Sequence, residues 1–103
     1  MEYAPRKLPV PKEPTAGEPV RVMKYHLDTN NHMNNCQYVQ LATEYLPDDF
    51  DLGQIRVEYK NSAKYGDVLV PYYEMKEEGL AVELKAAEDE KIFAIIYLER
   101  RKV

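Results

Sequence analysis

Apolar and polar residues along the chain follow two rhythms. Val20 and Val22 alternate with polar neighbours, and the alternation continues toward Lys24-Tyr25, which reads as a first strand. From Asn35 to Leu46 the period lengthens. Tyr38, Leu41, Ala42 and Tyr45 fall at i, i+3, i+4 and i+7, which predicts a helix with one apolar stripe. Asn34, with Gln37 three residues on, has the form of a capping box and is the expected N-cap. Pro47 and Asp48-Asp49 stop the helix. Beyond it the period returns to two. Ile55, Val57 and Tyr59 alternate with Arg56, Glu58 and Lys60. After a Gly66-Asp67 turn, Val68, Val70 and Tyr72 form one strand face. Gly79 ends that strand in a hairpin, and Leu80, Val82 and Leu84 then alternate with Ala81, Glu83 and Lys85. Glu88 to Glu90 make a further turn. Ile92 to Leu98 is apolar on both faces, as an interior strand covered on both sides would be.

The order is strand, helix, then four strands. Strands joined by short turns are largely antiparallel. The single helix stripe must pack on one face of their sheet. The expected fold is α+β, a curved antiparallel sheet wrapped around one central helix. The second apolar face of the last strand asks for another partner, a second copy or a second domain. Residues 1–18 differ from this pattern. Residues 1–19 hold five of the seven prolines (Pro5, Pro9, Pro11, Pro14 and Pro19) and few large apolar residues. They read as an extended arm or linker ahead of a domain at 19–103, so the natural polypeptide is expected to continue upstream of Met1.

Composition narrows the function classes. At 103 residues, 45% hydrophobic and 31% charged, the chain has the make-up of one soluble globular domain. No apolar run approaches the roughly 20 residues of a membrane span, and no charged-then-apolar leader opens the chain. A net charge of −4 argues against a nucleic-acid partner. The lone Cys36 can form neither an internal disulfide nor a thiolate zinc cluster, which fits a cytoplasmic setting. His26 and His32 with scattered carboxylates match no metal-ligand spacing, and no Gly-rich phosphate loop is present, so neither metal nor cofactor is expected.

The chemistry-bearing stretch is Asp28-Thr29-Asn30-Asn31-His32-Met33-Asn34-Asn35. It lies between the first strand and the helix N-terminus, where unpartnered N–H groups can hold an oxyanion. Asp28 can serve as general base on water or as nucleophile, His32 can move a proton or orient substrate, and Asn30 can fix the water or the imidazole. Asn34 and Asn35 cap the helix start. An Asn-rich capped turn with a satisfied Asp explains the same residues without chemistry, because Asn tolerates left-handed backbone. His26 and Cys36 read as structural residues.

Leu27 to Asn35, followed by Tyr38-Val39, resembles the active-site segment of acyl–acyl carrier protein thioesterases of the bacterial type. Val57-Glu58-Tyr59-Lys60 ahead of Gly66-Asp67 resembles that family's next strand, and the Pro-rich start resembles the linker between its two hot-dog domains. The resemblance implies a C-terminal hot-dog domain that helps release free fatty acid from acyl carrier protein, with Asp28, Asn30 and His32 as its catalytic Asp, Asn and His. A hot-dog acyl-CoA thioesterase, and a non-catalytic domain for dimerisation or acyl binding, are the alternatives. Plant members carry a Glu and a Cys after the helix where this chain has Ser62 and Ala63, so a cysteine nucleophile cannot act there. Glu58 and Ser62 are possible further site residues. Hot-dog domains pair, so a homodimer or a second hot-dog domain is an expected partner. Docking of an acidic carrier protein would use Lys60, Lys64, Arg100, Arg101 or Lys102.

Overall fold

Pro19 splits an edge strand in two in the computed structural model, which describes residues 8–29, 31–89 and 91–101. β1 (Thr15–Ala16) and β2 (Val20–Arg21) run along the same edge of β4 (Val68–Met75), with Thr15 opposite Tyr73 and Val20 opposite Leu69. Between them Gly17 N–H donates to Pro71 O at 2.7 Å, whereas Pro19 has no N–H to continue the ladder. The expected first strand stops short of Lys24-Tyr25. Lys24–His26 wind into a 3-10 turn instead. The His26 Nδ1 accepts the Met23 N–H at 2.9 Å, and the His26 N–H donates to Met23 O at 2.9 Å. A side chain thereby takes the donor that strand pairing would need.

Helix α1 spans Asn35–Thr43 and ends earlier than Leu46. Tyr45 N–H reaches Ala42 O and Leu46 N–H reaches Thr43 O, so the last turn tightens to i+3 bonding. Asn34 is the N-cap, and its Oδ1 accepts the Cys36 N–H at 2.8 Å. The Gln37 side chain makes no return bond, so the cap is one-sided.

β3 (Leu52–Tyr59), β5 (Gly79–Ala86) and β6 (Ile92–Arg100) complete an antiparallel sheet of order β1-β4-β5-β6-β3. Gly79 opens β5 rather than ending β4, and the turn is closed by Lys76 N–H to Gly79 O at 2.7 Å. Tyr38 and Ala42 of the helix pack with Leu80, Val82, Leu84, Ala94, Ile96 and Leu98 of the sheet. Each such large apolar side chain contributes about 1.5–3 kcal/mol when fully buried. β4 turns Leu69, Pro71 and Tyr73 to this core, leaving Val68, Val70 and Tyr72 on the outer face. This is the α+β hot-dog arrangement.

β6 is interior and buried on both faces. On its outer face Ile95 and Tyr97 are only 7% and 5% exposed. Glu58 and Glu83 stand opposite Ile95, and Arg56 and Ala81 opposite Tyr97. The Glu58–Lys60 and Glu83–Lys85 ion pairs, at 3.0 and 3.6 Å, lie on this face. Aliphatic stems of these long side chains cover the strand, so its outer face is closed within one chain. No helix among the described residues is long and apolar enough to cross a membrane.

Candidate active site

The Asp28–Asn35 stretch is a short loop pinned at three points. Leu27 bridges Met33, and Asp28 N–H donates to His32 O at 2.8 Å. Inside the loop Asn31 N–H donates to Asp28 O at 3.1 Å, and Asn31 takes a left-handed φ of 64° that asparagine tolerates. The Asp28 Oδ1 accepts the His32 N–H at 3.3 Å. Outside the loop, Met33 N–H donates to Ala63 O and Asn34 N–H to His26 O, both at 2.8 Å, and His32 bridges Lys64.

Tyr38 joins the helix to the same framework. Its hydroxyl accepts the buried Ala63 N–H at 2.9 Å, while the Ala63 carbonyl holds Met33. Burial pushes the Tyr38 phenol above its ordinary pKa; the Ala63 bond opposes this, and Tyr59, Asp67 and Asp28 add to it. Tyr59 stands edge-on to Tyr38 with centroids 5.7 Å apart, and its own pKa is raised by burial and then by Cys36.

Beside the loop lies an open pocket of about 580 Å³, lined by Lys24, Leu27, Asp28, Asn31, Lys64 and Tyr65. At the helix start, the Cys36 and Gln37 N–H groups go to the Asn34 side chain and carbonyl. The Asn35 N–H has no acceptor among the described residues. A carboxylate in a pocket wall and a helix N-terminal N–H close by in the chain are the parts that carbonyl addition requires: a base and a donor for the developing oxyanion.

A scan of family profiles matches residues 11–97 to the acyl-ACP thioesterase C-terminal domain. The chain belongs to this family. The thioesterase-family domain aligns with an acyl-ACP thioesterase from Bacteroides thetaiotaomicron at a TM-score of 0.79 and 16% identity, covering 94% of this chain and 41% of that one. The 12:0-ACP thioesterase from Umbellularia californica gives 0.69 and 22%, covering 93% and 39%. The smu.793 protein of Streptococcus mutans, solved bound to acetyl CoA, gives 0.70 and 14%, covering 92% and 89%. Identities this low establish the shared fold. The domain spans about two fifths of the length of the two ACP thioesterases. A search of curated protein sequences finds no match.

Of the site residues expected from the sequence, Asp28 alone lines the pocket among the described residues. His32 is half-buried and contributes its backbone to the loop, and its side chain is not among the pocket walls. Asn30 lies outside the described residues. Asn34 and Asn35 form the helix start as anticipated. Glu58 pairs with Lys60 on the outer face, opposite Tyr59, which meets Tyr38 on the helix side, so strand alternation carries Glu58 away from the loop. Ser62 is exposed and precedes Ala63. His26 is buried at 8% exposure and bonded to Met23, and Cys36 is exposed near Tyr59. Of the expected docking cations, Lys60 is paired with Glu58 and Arg101 with Asp51 at 3.0 Å, and Arg100 lies 4.7 Å over the Phe50 ring. Lys102 is outside the described residues. Lys24, Asn31 and Tyr65 in the pocket wall, and the Tyr38–Ala63 bond behind it, are additions from the structure. Lys24 and Lys64 are 40 residues apart in the chain, and no local pattern announces that they share a pocket.

Proposed function

We propose that this chain is the C-terminal hot-dog domain of a cytoplasmic enzyme that hydrolyses fatty-acyl thioesters of acyl carrier protein and releases free fatty acid. What supports the reading most is Asp28 in a pocket wall, on the loop that leads into helix α1, within a chain of the acyl-ACP thioesterase family. A water oxygen attacks the thioester carbonyl carbon while the Asp28 carboxylate takes its proton. The Asn35 N–H holds the tetrahedral oxyanion. Collapse breaks the C–S bond, and the departing thiolate takes the proton back from Asp28. Asn30 and His32 orient the water and the substrate. A second hot-dog domain, upstream in the same polypeptide or from another copy, completes the acyl pocket.

Asp28→Asn tests the assignment cleanly, because Asn keeps an Oδ1 acceptor for the His32 N–H. In the full-length enzyme, turnover of a long-chain acyl–carrier protein, followed by thiol release, is expected to fall roughly a hundredfold or more. A rate near that of the parent would remove Asp28 as the base.

A further inference from the structure

Most of the described cationic side chains are already engaged. Lys60, Lys76, Lys85 and Arg101 form ion pairs with Glu58, Glu74, Glu83 and Asp51. Lys91 and Arg100 lie over the rings of Phe93 and Phe50. Lys24 and Lys64 form no ion pair among the described residues, and both line the pocket that contains Asp28. Arg21, 5.8 Å from the centroid of the Tyr65 ring, adds a third positive charge beside the same wall. On a chain of net charge −4, this is a local positive field at one opening.

Both lysines stand on fixed backbone. Lys24 opens the 3-10 turn held by buried His26. Lys64 bridges His32 and donates its N–H to Asp67 Oδ2 at 2.9 Å. Their ammonium groups are left available for a ligand, and Leu27 and Tyr65, one apolar and one aromatic, line the same pocket with them and Asp28. A volume of about 580 Å³ lies within the range of small-molecule sites.

We infer that Lys24 and Lys64 grip the phosphate of the pantetheine arm, the group that carrier-protein and coenzyme A thioesters share. This rests on the thioesterase reading and adds to it. The arm lies along Leu27 and Tyr65 with its thioester toward Asp28, and the two ammonium groups meet the phosphate as point charges at the mouth.

Binding of non-hydrolysable long-alkyl thioethers to the full chain, read by calorimetry, tests the inference. The alkyl-4′-phosphopantetheine is expected to bind roughly five- to tenfold more tightly than the dephosphorylated alkyl-pantetheine, the scale of charge-assisted contacts at an open site. In the Lys24→Ala/Lys64→Ala double variant this ratio falls toward one. Lys76→Ala, which removes a cation beyond the far end of β4, keeps it. An equal loss with alkyl-phosphopantetheine, alkyl-coenzyme A and alkylated carrier protein supports the shared phosphate. A loss confined to the carrier protein means that the lysines meet its acidic surface, and a loss confined to coenzyme A means that they meet the nucleotide phosphates. Either result overturns the inference, as does a ratio near one in the parent. A parent that prefers the phosphorylated probe yet hydrolyses no thioester would keep the phosphate site and discard the hydrolase.

Discussion

Replacing Tyr38 with Phe removes one oxygen from the interior and should be felt in two places. Tyr38 is 2% exposed and Ala63 is fully buried, so the Ala63 N–H loses its acceptor where water cannot substitute. An unsatisfied buried donor costs about 1–3 kcal/mol. For a domain of this size each kcal/mol lowers Tm by roughly 4–8 °C. Ala63 also holds Met33 through its carbonyl, so relaxation at this residue is passed to the loop that carries Asp28. Displacement of a reacting group by about 1 Å can cost on the order of a hundredfold in rate. We therefore expect urea unfolding near neutral pH to give a loss in this range, and kcat to fall at least about tenfold in the folded variant. The parent also carries an alkaline signature. Burial raises the Tyr38 pKa above its ordinary 10.0, so its contribution to stability is full below that pH and is lost as pH rises through the raised value. The phenylalanine variant lacks this component, so the stability gap between the two proteins should narrow as pH rises above 10.0. A variant within about 0.5 kcal/mol of the parent and fully active would refute the coupling of Tyr38 to the loop.

Other expectations concern the loop, the arm and the acid side. His32→Ala keeps the loop, because the bond to Asp28 Oδ1 and the bridge to Lys64 use backbone; turnover should fall about a hundredfold with unchanged circular dichroism, and an unfolded variant would make His32 structural. Gly17→Ala drives a Cβ into the Tyr45 ring, which is stacked on Tyr73 at 4.4 Å; a loss of about 1–3 kcal/mol and faster proteolysis of residues 11–18 are expected, and parental stability with an unchanged cleavage rate would contradict a close fit of Gly17 against Tyr45. The Glu74 pKa is lowered by the Lys12 N–H and then by Lys76, so its contribution is present above about pH 4.5 and lost as pH falls through the lowered value. Amide exchange at Lys12 should accelerate over that acid range in the parent, and Glu74→Gln should abolish the dependence.

What the sequence made legible were the elements whose two faces differ in polarity. The Tyr38, Leu41 and Ala42 stripe, the Asn34 cap and the alternation of Leu80, Val82 and Leu84 all follow from residue type and period. The apolar run Ile92–Leu98 marked an interior strand correctly. Its outer cover was harder to foresee, because Glu58, Glu83 and Arg56 look merely solvated until register lays them beside Ile95 and Tyr97. Local alternation also ran past Val22, where a histidine six positions after Val20 captures a backbone donor and bends the chain. Beside the pocket, the helix start at Asn34-Asn35 followed from residue type and spacing, whereas spacing left Asp28 equally readable as part of an Asn-rich capped turn. The wall formed by Lys24, Lys64 and Tyr65 depends on a contact across the sheet edge, and no short-range pattern encodes it.

The split edge strand gives this sheet a direction of growth. On the β4 side, β1 and β2 are two residues each and are separated by Pro19, too short and too interrupted to template another strand. On the opposite side the eight-residue β3 has no strand on its outer edge among the described residues. Among the described residues, the long uncovered edge of this sheet is the one beside Gln54 to Glu58. In polymer terms, one end of this domain is terminated and the other is living.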